Sequence, residues 1–141
     1  MLRCSAPMNA LLFVYGTLMS TASTTLGRDM RLRLRREARV VGPASIQAQI
    51  FDRGRYPVLV FNGGALDRVH GELIEISNPA VTFPWLDAYE GIGRNGAGAD
   101  EYVRAERSVE QTAGGLAEAW VYVYQKPVTG LPRIASGRWK G

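Results

Sequence analysis

The sequence contains a single cysteine and a single histidine, and this scarcity removes several kinds of site from consideration. Cys4 has no second cysteine for an internal disulfide, and His70 alone cannot supply a histidine-rich metal site. Zinc ribbons, disulfide scaffolds and Ser-His-Asp chemistry are therefore disfavoured. The sequence also lacks a long apolar run, because the longest clean one, from Ala10 to Tyr15, falls far short of the roughly 18 residues of a membrane span.

What is present is enough for one small domain. The chain has 141 residues, 46% of them hydrophobic, and neither a repeat nor a low-complexity linker divides it. We expect residues 1–9 to be a loose N-terminal leader, with Met8 as an alternative start to Met1, and residues 10–141 to form the domain. Without a membrane span or an extended signal-peptide core, the expected location is the cytoplasm.

Basic residues outnumber acidic ones by 17 to 13, and most of the basic residues are arginines. Guanidinium groups suit phosphate or carboxylate recognition, but a coding bias toward arginine explains the skew equally well. Six of the arginines lie in residues 26–39, where Met30, Leu34 and Ala38 recur at four-residue spacing. This spacing predicts a helix with a solvated basic face, although the alternation from Met30 to Arg35 also permits a strand.

Strand patterns dominate the remaining sequence. The apolar run that ends at Tyr15 is typical of a buried strand leading into a loop at Gly16. Ser77 and Asn78 can cap a second helix, which Gly91 should end. Further strands are predicted over residues 40–41, 46–51, 56–61, 69–76, 102–109 and 116–124, with a break at 42–43, a turn at 62–64 and a glycine-rich loop at 91–100. Because strands and helices do not alternate regularly as in βαβ units, the pattern predicts an α+β fold with a barrel-like or strongly bent sheet.

The first candidate site is the segment Tyr15, Gly16, Thr17 and Leu18 at the end of the first strand. A glycine at a strand-to-loop turn lets successive backbone N–H groups point at one spot without an intervening Cβ atom. Such a nest suits a carboxylate or an oxyanion. An ordinary glycine turn has the same pattern, so this segment alone does not decide between the two.

The second candidate site is a pair of carboxylates, Asp87 and Glu90, three residues apart on one face of the second helix. The negative end of the helix dipole and burial beside Trp85 or Tyr89 would both raise a carboxyl pKa toward that of a useful general base. The alternative is that both acids are solvated. The position of Glu90, directly before Gly91, favours a functional role for this residue.

These segments belong to an ordered set of motifs that resembles the γ-glutamylcyclotransferase-like (AIG2-like) family from about residue 10 to the end. The set also includes Tyr56-Pro57, Gly71-Glu72-Leu73, Tyr102-x-Arg104, Val121-Tyr122-Val123-Tyr124 and Ile134-x-Ser136-Gly137-x-Trp139. The resemblance implies a small single-domain mixed β-barrel with peripheral helices. It also implies a cavity whose mouth holds the Tyr-Gly-Thr-Leu loop.

The resemblance further implies an activity, the cyclisation of a γ-glutamyl amine or amino acid to 5-oxoproline with release of the amine. Glu90 would be the general acid/base, and the loop of residues 15–18 would bind the γ-glutamyl head of this small-molecule substrate. Tyr15 and one of Tyr102, Tyr122 or Tyr124 would donate hydrogen bonds inside the cavity; the alternative is that these tyrosines pack with their hydroxyls at the rim. No metal or cofactor is needed, and a monomer or weak homodimer is expected.

Departures from the family pattern leave the leaving amine open. The loop after Gly91 has Gly96 and Gly98 where a bulky residue and a proline are expected, and Arg138 stands where an acidic residue often precedes the tryptophan. A non-catalytic small-ligand-binding or regulatory protein of the same fold would carry the same motifs. Nucleic-acid binding through residues 28–39 is disfavoured, because that segment contains two acids and no interleaved aromatics.

Overall fold

The computed structural model describes residues 9–16, 18–19, 27–61, 64, 66–92 and 100–139 of the chain. Within them the elements, in chain order, are β1 (Leu11–Val14), α1 (Arg28–Glu37), β2 (Ala38–Ile46), β3 (Gln49–Asp52), β4 (Pro57–Val60), β5 (Val69–Ile76), α2 (Pro79–Tyr89), β6 (Tyr102–Gln111) and β7 (Leu116–Tyr124). Neither helix is long and apolar enough to cross a membrane.

Five of the strands close into a barrel in the order β1-β5-β2-β6-β7, and β3 and β4 form a separate two-stranded sheet. The barrel is mixed because β1 runs parallel to β7, with Leu12 opposite Trp120, while the other neighbours are antiparallel. The predicted α+β class, with a mixed barrel and peripheral helices, is confirmed.

The continuous apolar run of β1 reflects burial on both of its faces. Leu12 and Val14 belong to one hydrophobic cluster, which also contains Phe83 of α2. Phe13 and Tyr15 belong to a second cluster. Because successive side chains of a strand point in opposite directions, a strand that lies between two clusters needs apolar residues at every position.

The bounds of β5 and β7 match the prediction residue for residue, but the single strand predicted over residues 46–51 is wrong, because β2 ends at Ile46 and β3 begins at Gln49 in the other sheet. The helix interpretation of the arginine-rich segment is confirmed by α1, and the alternative strand is wrong. The predicted break at Gly42 and Pro43 is also wrong, because β2 continues through both residues with a register shift between Val40 and Gly42. A bulge of this kind accommodates a proline within a strand.

Some expectations concern residues outside the described part of the chain: most of the leader, residues 62 and 63 of the turn, and residues 93–99 of the glycine-rich loop. Asn9, the last residue of the expected leader, is described. Its side chain donates to Glu106 Oε2 at 3.0 Å and to the Glu118 carbonyl at 2.9 Å, and its carbonyl accepts from Trp120 Nε1 at 3.0 Å. These bonds attach Asn9 to β6 and β7.

Glu37, the last residue of α1, fixes the position of α2. Its Oε1 atom accepts hydrogen bonds from Thr82 Oγ1 at 2.6 Å and from Trp85 Nε1 at 3.0 Å, while Oε2 pairs with Arg33 Nε at 3.0 Å. The hydrogen bond from Thr82 is the largest cause that lowers the pKa of Glu37. These contacts turn the Trp85 indole toward α1, which orients the helix that carries Asp87 and Glu90.

Candidate active site

A cavity of about 270 Å³ lies where the end of β1, the start of β4, the end of α2 and strands β6 and β7 meet. Among the residues predicted for the site, those that line the cavity are Tyr15, Gly16, Leu18, Glu90, Tyr102 and Tyr122. The other lining residues are Phe13, Val14, Tyr56, Pro57, Tyr89 and Glu101. Thr17 lies outside the described residues. The first and second candidate segments therefore share one cavity, and six of its twelve lining residues are aromatic.

The loop after β1 is a tight turn against β4. The Met19 N–H donates to the Gly16 carbonyl at 3.1 Å. A Cβ atom on Gly16 would lie 2.9 Å from Cγ of Pro57, so a side chain at this position would collide with the first residue of β4. The glycine thus permits the loop to pack closely on Pro57 while its backbone lies on the cavity wall.

Glu90 lines the cavity directly after the end of α2, where it is the C-cap residue. Its N–H still donates to the Leu86 carbonyl at 3.0 Å, and the next residue, Gly91, has a φ of 85°, a conformation that favours glycine and ends the helix. Burial raises the pKa of Glu90 to about 8, and the negative charge of Asp87 adds to the shift. A carboxyl with this pKa can both accept and return a proton near neutral pH.

Asp87 has a different environment from Glu90. Arg104 holds both of its oxygens, through Nε at 2.9 Å and a terminal guanidinium nitrogen at 3.2 Å, and the Tyr122 hydroxyl donates to Oδ1 at 2.6 Å. The guanidinium carbon lies 4.0 Å from the ring centre of Phe83 and 4.3 Å from that of Trp120, in cation–π contact with both rings. One acid of the pair is therefore compensated by a cation, and the other faces a mostly apolar cavity; this contrast typically separates the roles of two nearby carboxylates.

The hydroxyls of the candidate tyrosines Tyr15 and Tyr102 donate hydrogen bonds to backbone carbonyls. The Tyr15 hydroxyl donates to the Tyr122 carbonyl at 2.7 Å, and the Tyr102 hydroxyl donates to the Pro57 carbonyl at 3.3 Å. Burial raises the pKa of Tyr15, Tyr102 and Tyr122, so these hydroxyls stay protonated. Tyr124 does not line the cavity but packs edge to face on Tyr102, with ring centroids 5.5 Å apart.

Sequence reasoning missed the polar rim of the cavity. The Tyr56 hydroxyl donates to Glu101 at 3.2 Å and accepts from Arg53 Nε at 3.1 Å, and Arg53 pairs with Glu101 at 3.7 Å. The contacts of Asp87 were also missed, although a signal for them was available. Antiparallel pairing of the last two predicted strands places Arg104 opposite Tyr122, and both of these side chains bind Asp87. The rim depends on contacts between the loop that joins β3 to β4 and the residue that precedes β6, which no local pattern specifies.

The raised pKa of Glu90 predicts a pH-dependent cost in stability. Between about pH 4.5 and 8 the folded chain holds a proton that the unfolded chain has released, so the free energy of unfolding should fall as pH rises through this window. We expect Glu90→Gln to gain stability over wild type by about 2 kcal/mol or more at pH 8.5, and by much less at pH 4.5. Thermal and urea unfolding at both pH values measure the difference.

Glu75→Gln is the matched control for this stability measurement. It removes a carboxylate that is 44% exposed, is paired with Arg39 at 2.7 Å and does not line the cavity. The free energy of unfolding of Glu75→Gln should not increase relative to that of wild type as pH rises. If Glu90→Gln exceeds wild type in free energy of unfolding by the same amount at both pH values, the buried, protonated state of Glu90 is contradicted.

Comparison with known proteins supplies independent evidence. Residues 12–141 match the family described as "Gamma-glutamyl cyclotransferase, AIG2-like". The gamma-glutamylcyclotransferase family protein YtfP of Escherichia coli strain K12 is 36% identical over 129 residues, which cover 91% of this chain and 94% of that protein. The solution structure of ytfP from Escherichia coli superposes with a TM-score of 0.60 at 35% identity, covering 92% of this chain and 95% of that one.

Two further solved structures have the same fold. YkqA from Bacillus subtilis has a TM-score of 0.66 at 25% identity; the match covers 94% of this chain but only 40% of YkqA. An AIG2-like protein from Mus musculus has a TM-score of 0.63 at 22% identity, covering 87% of this chain and 84% of that one. At this level of identity the mouse protein supports the fold alone.

Proposed function

Because the chain belongs to the gamma-glutamyl cyclotransferase, AIG2-like family, we propose that it is an enzyme that cyclises a γ-glutamyl amine or amino acid to 5-oxoproline and releases the amine. Glu90 is the general acid/base of this proposal. The observation that carries it is the carboxyl of Glu90, with its pKa raised to about 8, on the wall of the cavity that Gly16 and Leu18 also line.

The reaction needs few catalytic groups from the protein because the substrate carries its own nucleophile. The α-amine attacks the γ-carbonyl carbon, a five-membered ring closes, and the bond from that carbon to the leaving nitrogen breaks. The protein must hold the γ-glutamyl chain folded so that the two groups meet. Positioning of this kind provides effective molarities on the order of 10⁵ to 10⁸ M, and a cavity walled by packed tyrosines is suited to it.

Proton transfer is the step assigned to Glu90. The substrate arrives with an α-ammonium group, which cannot attack until it loses a proton. The Glu90 carboxylate takes that proton and returns it to the leaving nitrogen. The second proton that the α-nitrogen loses on becoming the ring amide leaves with the amine as its ammonium, so no proton is consumed overall. A pKa near the working pH suits both halves of this exchange, because neither transfer is then strongly uphill.

Backbone groups of the loop after β1 are proposed to bind the oxygen atoms of the substrate. Gly16 and Leu18 line the same cavity as Glu90, and no Cβ atom at Gly16 obstructs the approach to the loop. Amides in such a turn suit the α-carboxylate or the oxyanion that forms on the γ-carbonyl. Glu90 then contacts the nitrogen end of the reacting centre, and the loop contacts the oxygen end.

A panel of amides tests the proposed function. The protein is incubated with γ-glutamyl amines and γ-glutamyl amino acids, and 5-oxoproline and free amine are quantified. Two controls follow from the ring chemistry: a β-aspartyl amine would have to close a four-membered ring, and an N-acetylated γ-glutamyl amine has no free nucleophile. We expect turnover of one or more γ-glutamyl compounds and of neither control.

The same panel distinguishes an enzyme from a binding protein. Ligands that bind in calorimetry without forming 5-oxoproline would identify the cavity as a non-catalytic binding site. If no γ-glutamyl compound either binds or reacts, the assignment of this cavity to γ-glutamyl chemistry is wrong.

A further inference from the structure

The hydroxyl of Tyr122 has its proton committed to an acceptor outside the cavity. It donates to Asp87 Oδ1 at 2.6 Å, while Tyr122 itself lines the cavity. A carboxylate paired with a guanidinium only accepts hydrogen bonds, so the proton of this contact belongs to the tyrosine. A tyrosine hydroxyl has one proton, and its oxygen can therefore offer only lone pairs to a ligand.

Asp87 cannot easily turn away from Tyr122, because Arg104 fixes both of its oxygens. The two nitrogen–oxygen distances are 2.9 and 3.2 Å, and the guanidinium also contacts the rings of Phe83 and Trp120. Bidentate pairing of this kind fixes the plane of the carboxylate as well as its position. Arg104 on β6 fixes Asp87 on α2, and Asp87 in turn fixes the direction of the hydroxyl proton of Tyr122 on β7.

We propose that Asp87 is a positioning residue that makes the Tyr122 hydroxyl oxygen a hydrogen-bond acceptor for the substrate's α-ammonium group, so that Tyr122 selects ligands with a free ammonium. This inference rests on the proposed function of the cavity. An ammonium has several N–H donors, and Glu90 and Tyr122 can accept from different ones. A carboxylate or carbonyl oxygen at the same place would face lone pairs and be disfavoured.

The same arrangement helps to release the product. In 5-oxoproline the former amine is a ring amide with one N–H, so it cannot donate to both acceptors at once. The product therefore loses a charged hydrogen bond that the substrate has. Hydrogen bonds to charged groups are stronger than neutral ones, and the cavity should favour the substrate over the product.

A ligand pair measures this preference without turnover. In a Glu90→Gln background, calorimetry gives the Kd of a γ-glutamyl amide and of the matching glutaric monoamide, which lacks only the ammonium group. We expect the ammonium ligand to bind at least about tenfold more tightly. Adding Tyr122→Phe should remove most of this preference, and so should adding Asp87→Asn, with the affinity for the glutaric monoamide changed by less than about twofold.

The double variant separates positioning from a general structural effect. If Asp87 acts through Tyr122, Asp87→Asn and Tyr122→Phe together should cost no more preference than the larger single change. Asp67→Asn is the control, because Asp67 is also a carboxylate paired with an arginine, Arg133 at 2.7 Å, but does not line the cavity. It should leave the preference unchanged.

The inference is overturned if the Tyr122→Phe protein keeps the full preference for the ammonium ligand. It is also overturned if Asp87→Asn and Tyr122→Phe lower that preference additively. Tyr122→Phe decides the question by itself if Asp87→Asn does not fold. The proposed function fails independently: an ammonium preference without any 5-oxoproline production overturns the cyclase assignment alone. Turnover without the preference overturns only the role of Tyr122.

Discussion

Replacing Glu90 with glutamine should lower kcat for 5-oxoproline formation by about 10²- to 10⁴-fold, the usual contribution of a general acid/base. The amide has nearly the size of the carboxyl but cannot take a proton from the α-ammonium. Because the burial of Glu90 is unfavourable to its charge, the variant should fold at least as well as wild type. Steady-state kinetics together with thermal unfolding measure both effects on the same preparation.

The pH profile sharpens this expectation. For wild type, kcat/KM should rise with pH through the pKa of free Glu90, about 8, and fall again as the substrate's ammonium loses its proton. The residual activity of Glu90→Gln should lack the rising limb. Glu75→Gln, which changes an exposed acid paired with Arg39, should leave kcat and the profile unchanged. Retention of more than about a tenth of wild-type kcat by Glu90→Gln would contradict the assigned role.

Replacing Gly71 with alanine should destabilise the fold by more than about 4 kcal/mol, an effect large enough to prevent accumulation of folded protein. Gly71 is the third residue of β5 and lies beside the end of β1, where the loop of the candidate site begins. An added Cβ atom would overlap the Val14 carbonyl oxygen and lie 3.0 Å from the Phe13 ring and 3.1 Å from Tyr15 Cα. Two of these contacts are backbone atoms of the barrel, which cannot rotate away.

A second glycine provides the matched control. Gly42 lies in β2, a neighbour of β5 in the barrel, and an added Cβ atom there would meet nothing within 4 Å. Gly42→Ala should therefore remain within about 1 kcal/mol of wild type. Urea unfolding of both variants, with the soluble yield recorded, measures the contrast. Equal stability of the two would show that the ends of β1 and β5 are not packed as closely as the structure has them.

The sequence predicts those parts of the fold that local patterns control. The unbroken apolar run of β1 and the alternation in β5 identify both strands, and Gly91 identifies the end of α2. The break predicted at Gly42 and Pro43 failed because local propensity was allowed to end a strand that neighbouring strands continue through a bulge. Strand continuity of this kind is decided by pairing partners and not by the residues themselves.

In the candidate site, too, local patterns identify some features and only the packing reveals the others. The sequence identified Asp87 and Glu90 as a pair but gave no means of separating their environments, because both lie on one helix face. The separation comes from Arg104, which is 17 residues beyond Asp87 in the chain and on another element. The acceptor role of Tyr122 depends in turn on that ion pair, so it follows only from the packing of α2 on β6 and β7.

The fate of substrate atoms tests the central claim most directly. A γ-glutamyl amine that reacts in the panel is labelled with heavy nitrogen at the α-position and incubated with the protein in water enriched in heavy oxygen. Cyclisation through Glu90 predicts labelled 5-oxoproline and unlabelled amine in equal amounts, without oxygen from the solvent, at a rate that Glu90→Gln reduces to near background. Labelled glutamate containing solvent oxygen would show hydrolysis instead, and would contradict the account.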